Sequence, residues 1–202
     1  MRDGYEVVAI NYWREVRSNF KRTLLDFDDI LLLIHDSAAF DDLIRFLNIL
    51  PYYRRKTYIS LTRTFSTIKP SLKKFDTRMY IIDCISKSIS DRDFQNGKSW
   101  FFEDMSFGFS EISRLIDKYL KKLKPELVVV DSISQLIDFS VTAGDRDFNN
   151  FINHLRKRNS ETLCNFVLLY DNQLKSLRNL PISNINLILR LEVIKDKIHW
   201  RE

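Results

Sequence analysis

Between Glu126 and Ser132 the chain reads Leu127-Val128-Val129-Val130-Asp131, four consecutive apolar residues, three of them β-branched, closed abruptly by a carboxylate and a hydroxyl. A run this short, with no polar alternation, is the pattern of a strand covered on both faces, which is how parallel sheets under helices are written. Such a strand delivers its last residue to the carboxyl edge of the sheet, where open α/β sheets bind ligands. An Asp at that place is the usual holder of a nucleotide's magnesium. The neighbouring segments therefore decide whether a nucleotide site is complete.

With 202 residues, 45% hydrophobic and 29% charged content, the chain can bury one substantial core and reads as a single domain over 1–202. No stretch approaches the ~20 apolar residues of a membrane span. The amino terminus carries no apolar signal segment, so the expectation is a cytoplasmic protein with no membrane partner. Cys84 and Cys164 stand beside apolar runs with no His at short spacing, and are expected to be reduced core residues rather than metal ligands. No metal site is expected. Glycine occurs only 4 times, and phosphate-cradling loops need residues without side chains so that backbone amides can reach the ligand. The scarcity argues against an intact loop of that kind.

Apolar runs alternate with helical stripes along the chain. This predicts an α/β fold of three layers, with a mostly parallel central sheet flanked by helices. Strands are expected at 30–34, 57–61, 79–83, 127–131, 165–170 and 186–191, with a weaker one at 197–200. Phe40, Leu43, Ile44, Leu47 and Leu50 form one helical stripe, stopped by Pro51; Ile112, Ile116, Tyr119, Leu120 and Leu123 form another, stopped before Pro125. Phe148, Phe151, Ile152 and Leu155 form a third, whose polar side carries Arg146, Arg156, Lys157 and Arg158 in the manner of a solvated surface. Residues 5–25 read as an extra helix with Trp13, Val16, Phe20 and Leu24 along one side. That divides the chain into an amino-terminal helical extension at 1–26 and a core at 27–202.

A phosphate loop should follow the first core strand and open a helix, with a Lys on the β/γ oxygens and a Ser or Thr on magnesium. Here the chain has Ile34-His35-Asp36-Ser37-Ala38-Ala39-Phe40-Asp41-Asp42. Aligned without gaps from the strand, Asp41 falls where the Lys would stand and Asp42 where the hydroxyl residue would. The sign of the site is inverted. At ~4 Å and a surface-like dielectric, each carboxylate facing a phosphate costs on the order of 4 kcal/mol before screening. Asp36 or Ser37 can also cap the helix, satisfying the amides a phosphate would take.

Together these features resemble the RecA/KaiC superfamily of P-loop NTPases, in particular the short, divergent KaiC-like or RadA-like proteins of archaea. The resemblance runs from Asp29 to the carboxyl end and is best from Leu115 to Tyr170. There Ile116 to Leu120, Lys124 to Ser132 and the following Ile133-Ser134-Gln135 look like the family's helix, its Walker B strand and the Asp-Ser-x-Ser after it. Tyr58-Ile59-Ser60-Leu61 looks like the second core strand, 163–170 like the strand after Walker B, and Asn186 to Leu191 like the late strand. The family usually places water-activating acids after the second strand; here Thr62 and Arg63 stand there. With the loop Lys, the magnesium hydroxyl and that acid all replaced, little is left for phosphoryl transfer, which depends on positioning and charge neutralisation.

What the resemblance then implies is a pseudo-ATPase with no catalytic residue and no cofactor. Asp131, Ser132, His35, Asp36, Ser37, Asp41 and Asp42 would mark a relic nucleotide site. Such a domain would act as a regulatory or protein-interaction module, partnered by a second copy or an active paralogue. The alternative is an ATP- and Mg2+-binding RecA/KaiC-type protein with a non-standard loop, acting on DNA. Asp131 also has a plain structural reading, as a turn or cap residue helped by Ser132 and Ser134. His35, His154 and His199 are too scattered for a zinc motif.

A net charge of +5 and a pI near 9.1 raise nucleic acid as a partner, since clustered cations gain affinity by releasing counterions. Arg54-Arg55-Lys56, with Tyr52 and Tyr53 beside them to stack on bases, form the candidate contact. Lys121-Lys122-x-Lys124 and Arg156-Lys157-Arg158 lie near helix ends, where cations also complement the helix dipole. Trp100, Phe101 and Phe102 open an aromatic segment running to Phe109. With Trp13 they are the candidate protein contacts, the other reading being that the segment covers the sheet edge.

Overall fold

A computed structural model describes residues 6–9, 29–36, 40–50, 55–90, 92–104, 108–136, 143–173, 185 and 187–192. The strands are β1 (Glu6–Ala9), β2 (Ile30–His35), β3 (Lys56–Ser60), β4 (Tyr80–Asp83), β5 (Trp100–Phe102), β6 (Leu127–Asp131), β7 (Asn165–Asp171) and β8 (Leu187–Glu192). They form one sheet in the order β1-β8-β2-β7-β6-β3-β4-β5, and every pairing is parallel. The helices are α1 (Phe40–Ile49), α2 (Phe65–Lys74), α3 (Ser86–Ile89), α4 (Phe109–Leu123) and α5 (Ala143–Thr162), with a 3-10 turn at Ile133–Gln135 after β6.

Side chains alternate across each strand, so the core splits into two layers. Ile30, Leu32, Ile34, Val128, Val130, Phe166 and Leu168 face α4 and α5. Leu31, Leu33, Leu127, Val129, Val167 and Leu169 face α1 and α2. The expected three-layer α/β fold is therefore present. It follows from strands such as β2, β6 and β7 being buried along their whole length, which only helices on both faces can achieve.

The six core strands fall within two residues of their expected bounds, and the three apolar stripes are α1, α4 and α5. Residues 197–200 lie outside the described part. Four elements differ from the expectation. Glu6–Ala9, inside the stretch expected to be helical, is strand β1, paired with β8 from Glu6↔Leu189 to Ala9↔Glu192. The β-branched pair Val7-Val8 suits a pleated strand, and the free edge of β8 supplies backbone partners that local periodicity does not foresee. The remainder of the predicted extension, including Trp13, lies outside the described residues.

The second is α2, absent from the expected elements: Phe65, Ile68 and Leu72 recur at helical spacing, but Pro70 inside it removes a backbone donor. It stands because Ile68 is buried, Phe65 and Leu72 pack on the core, and Asp83 Oδ2 accepts from the Phe65 amide at 2.5 Å. The third is the short helix α3, whose start is held by Asp83 Oδ1, accepting from the Ile85 and Ser86 amides at 2.8 Å each.

The fourth is β5, made from the aromatic segment. Phe101 and Phe102 are buried, and Trp100 is half-buried and stacked on Phe65 at 5.2 Å. This corrects the protein-contact expectation for Phe101 and Phe102: they are sheet core. The outer side of β5 is itself covered. The Gly97 amide donates to the Trp100 carbonyl (2.9 Å), and Asn96 Oδ1 accepts from the Phe102 amide (2.7 Å). An edge closed in this way offers no template for strand addition. A side chain at Gly97 would overlap the Trp100 indole, so only glycine lets this loop lie flat on the ring.

Cys84 and Cys164 are buried free thiols, and burial pushes the Cys164 thiol up to about 12. Among the described residues no helix is long and apolar enough to cross a membrane.

Outside the core, α4 and α5 are joined by Asp117, which accepts both Arg158 Nε and Nη2 at 2.7 Å and faces His154 Nε2 at 3.1 Å. Burial tends to raise the Asp117 carboxyl, but Arg158 and His154 outweigh it and hold it below its ordinary value. A depressed folded-state value means stability that is present above the unfolded carboxyl range, near pH 4, and lost as pH falls through the folded value. Arg158→Met is expected to lower stability by about 1 kcal/mol at pH 7 and to remove that part of the acid sensitivity. Urea melts at pH 7 and pH 3 measure both.

Candidate functional site at the carboxyl edge

Parallel strands bring their last residues to one edge, and here that edge is acidic. Asp83 closes β4, Asp131 closes β6 and Asp171 closes β7, while His35 closes β2 opposite Asp171. Asp131 shares the parity of Leu127 and Val129, so its side chain falls on the α1/α2 face, where the register sets it beside Ser60 of β3.

Asp131 is 1% exposed. Its Oδ2 accepts from the Tyr58 hydroxyl and from Arg63 Nη1, both in short contacts. Tyr58 is wholly buried in β3, two residues before the strand ends. Arg63 follows that strand in a turn closed by Ser60, whose hydroxyl accepts from the Arg63 amide (3.0 Å) and donates to the Arg63 carbonyl (2.6 Å). This turn aims the guanidinium back over the sheet edge. Phe40, the first residue of α1, packs edge-on to Tyr58 at 5.5 Å and lies 5.7 Å beneath the Arg63 guanidinium. Phe40, Tyr58 and Arg63 thus stand together over the carboxylate.

Burial, then Asp131, pushes the Tyr58 phenol well above its ordinary value. Burial opposes the charge on Arg63, but Asp131 and Tyr58 hold its guanidinium above the ordinary value. Burial lowers the His35 imidazole against the opposing pull of Asp131 and Asp171, so His35 is neutral at pH 7. The group is a buried ion pair with a phenol donor, flanked by an uncharged histidine. Oδ1 of Asp131 is a buried acceptor with no hydrogen-bond partner among the described residues.

The other expected site residues are placed differently. Ser132 and Ser134 latch the 3-10 turn to β7: the Ser132 hydroxyl donates to the Leu169 carbonyl (3.0 Å), and Ser134 Oγ accepts from the Asp171 amide (2.7 Å). The two hydroxyls are 2.8 Å apart, which leaves the Ser134 proton for Ser132. The cap-like role of Ser132 and Ser134 is therefore present, whereas Asp131 itself does not cap the turn through its side chain. The Asp131–Ser132 peptide bond is cis.

Asp36 is exposed and paired, accepting from Asn172 Nδ2 at 3.0 Å and Arg190 Nη2 at 2.8 Å; Arg190 and Asn172 hold its carboxyl below the ordinary value. Those contacts tie the ends of β2, β7 and β8; the amides it would cap, at 37–39, lie outside the described residues. Ser37 lies outside the described residues. Asp41 accepts from Ser71 Oγ and Lys74 Nζ, each at 2.5 Å, and so ties α1 to α2. Asp42 pairs with Arg45 one turn on, at 3.3 Å. Among the described residues Asp41 and Asp42 are thus paired with α2 and with Arg45, and none of these contacts reaches Asp131.

In the candidate nucleic-acid cluster, Arg55 pairs with Glu126 at 3.4 Å and half-buried Lys56 donates to the Leu47 carbonyl at 3.0 Å; Tyr52, Tyr53 and Arg54 lie outside the described residues.

The residues that sequence reasoning missed as partners of Asp131 are Tyr58 and Arg63. One signal was present: a cation stands after β3 where the resemblance leads one to expect an acid. Its meaning depends on β3 lying beside β6, which no local pattern reveals.

The carboxylate that the RecA/KaiC resemblance would assign to magnesium, Asp131, is already paired with a guanidinium, a donor set that suits a cation poorly.

No family model matches the chain, and no curated protein matches it. Among solved structures it is similar to a KaiC-like protein from the hyperthermophilic archaeon Pyrococcus horikoshii OT3, at 14% identity and a TM-score of 0.45, over 75% of this chain and 66% of that one.

Proposed function

We propose that this chain is a catalytically silent domain of RecA/KaiC-like type, retained as a regulatory or protein-interaction module. The observation that carries the reading is the closure of Asp131 by Arg63 and Tyr58. Phosphoryl transfer needs a metal and fixed cations arranged around a triphosphate. In this chain the fixed cation is spent on the carboxylate, and Phe40 covers the pair. The carboxylate that replaces the loop lysine, Asp41, binds α2. A scaffold that keeps its sheet and loses its chemistry acts through its surfaces, with a second copy or an active paralogue as partner.

Calorimetric titration with Mg-ATP tests the reading. The expected result is no saturable binding, or a Kd weaker than about 1 mM. Micromolar binding that Asp131→Asn abolishes would overturn it. Light scattering on the eluting protein is expected to give the same mass with and without nucleotide.

A further inference from the structure

Towards the amino edge of the sheet, the first residues of β3, β4 and β5 meet α2 along its length, from Phe65 to Lys73, around a groove of about 680 Å3. Six cations line it: Arg55, Lys56, Lys69, Lys73, Arg78 and Lys98. The one carboxylate among the lining residues is Asp76. These cations come from separate segments between Arg55 and Lys98, brought together by folding. Lys69, Lys73, Arg78 and Lys98 are exposed, and none of the four forms an ion pair with a described residue. By contrast Arg156 and Arg158 are committed to Asp29 and Asp117.

Between the cations the floor is apolar: half-buried Phe65, Leu72 and Trp100 line it. Tyr80 also lines the groove but packs on the opposite layer, and the Phe65 and Trp100 rings do not offer a base an open platform. Phe65 stacks on Trp100 at 5.2 Å and 17°, Lys69 sits 5.8 Å from the Phe65 centroid, and Gly97 lies against the indole. Single-strand binders join a cationic groove to open stacking faces; here the second part is missing. The closed outer side of β5 likewise excludes docking by strand addition.

We propose that this groove docks an acidic protein segment in which carboxylates alternate with apolar residues, the carboxylates meeting the cationic rim and the apolar residues covering the floor. The inference rests on the reading of the domain as a protein-interaction module and names the chemistry of its partner. Charge complementarity of this kind sets the partner and speeds its encounter.

The test is fluorescence anisotropy on the full chain without nucleotide, using three labelled probes of equal charge: a peptide alternating Glu and Leu, oligoglutamate, and a single-stranded oligonucleotide. The alternating peptide is expected to bind best. Lys73→Gln/Arg78→Gln/Lys98→Gln is expected to weaken it about tenfold. The control Lys87→Gln/Arg114→Gln/Arg146→Gln, which removes three exposed cations outside the groove, is expected to leave it unchanged. Tighter binding of the oligonucleotide, equal binding of oligoglutamate, equal losses in the two triple variants, or no binding would each overturn the proposal. Because no nucleotide is present, failure here leaves the Mg-ATP result standing, and micromolar Mg-ATP binding would remove the silent reading without touching the groove.

Discussion

Replacing Arg63 with methionine is expected to lower the unfolding free energy by about 3–5 kcal/mol at pH 7, the usual cost of leaving a buried charge without its partner. The penalty arises at Asp131, which is 1% exposed and would then keep only the Tyr58 hydroxyl. Surface ion pairs contribute about 0–1 kcal/mol; this one differs because its carboxylate has no water to return to. The second arm of the test is Arg63→Met/Asp131→Asn. The amide still accepts from Tyr58 and carries no charge, so most of the loss should be recovered. Urea unfolding of the parent, the two single variants and the double variant forms a cycle that isolates the coupling. A loss of less than about 1 kcal/mol for Arg63→Met would mean that Asp131 is open to solvent or to another cation, and it would weaken the proposed function along with the ion pair.

Phe101→Ala should be nearly as damaging, at about 3–5 kcal/mol, the range for truncating a buried Phe. Phe101 is 6% exposed, its ring lies 5.3 Å from Tyr119, and Lys122 Nζ stands 4.0 Å above it. β5 has a strand neighbour on one side only, so the ring is its main anchor to α4. If the aromatic segment were instead a contact surface for another protein, the substitution would leave the melting curve almost unchanged. Thermal and urea melts distinguish the two outcomes directly.

Both expectations concern residues whose roles were only partly legible in the chain. Trp100-Phe101-Phe102 has no clean period, and three residues are too few to show one. Its strand character comes from β4, whose register places Ile82 opposite Phe101. Helix α2 was legible in Phe65, Ile68 and Leu72 despite Pro70, whereas the strand at Glu6–Ala9 was masked by a helical pattern that the open edge of β8 overrides. At the site, the unusual Asp41 and Asp42 were plain in the sequence, yet their partners are Lys74 and Arg45. The two adjacent carboxylates were legible along the chain, but not the contacts they would make.

By itself the sequence determined the layers and the edge. Unbroken apolar runs at β2, β6 and β7 must be covered on both faces, and a run ending in Asp must present a carboxylate where parallel strands end. Those are consequences of burial and period, which neighbours along the chain decide. Strand order decided the chemistry. Placing β3 beside β6 brought Tyr58 and Arg63, about seventy positions away, onto Asp131, and bringing α2 against the starts of β3 to β5 gathered the cations of the groove. Electrostatic pairing depends on distance in space, falls off steeply and takes no account of sequence separation, so only the folded chain could show which charges meet.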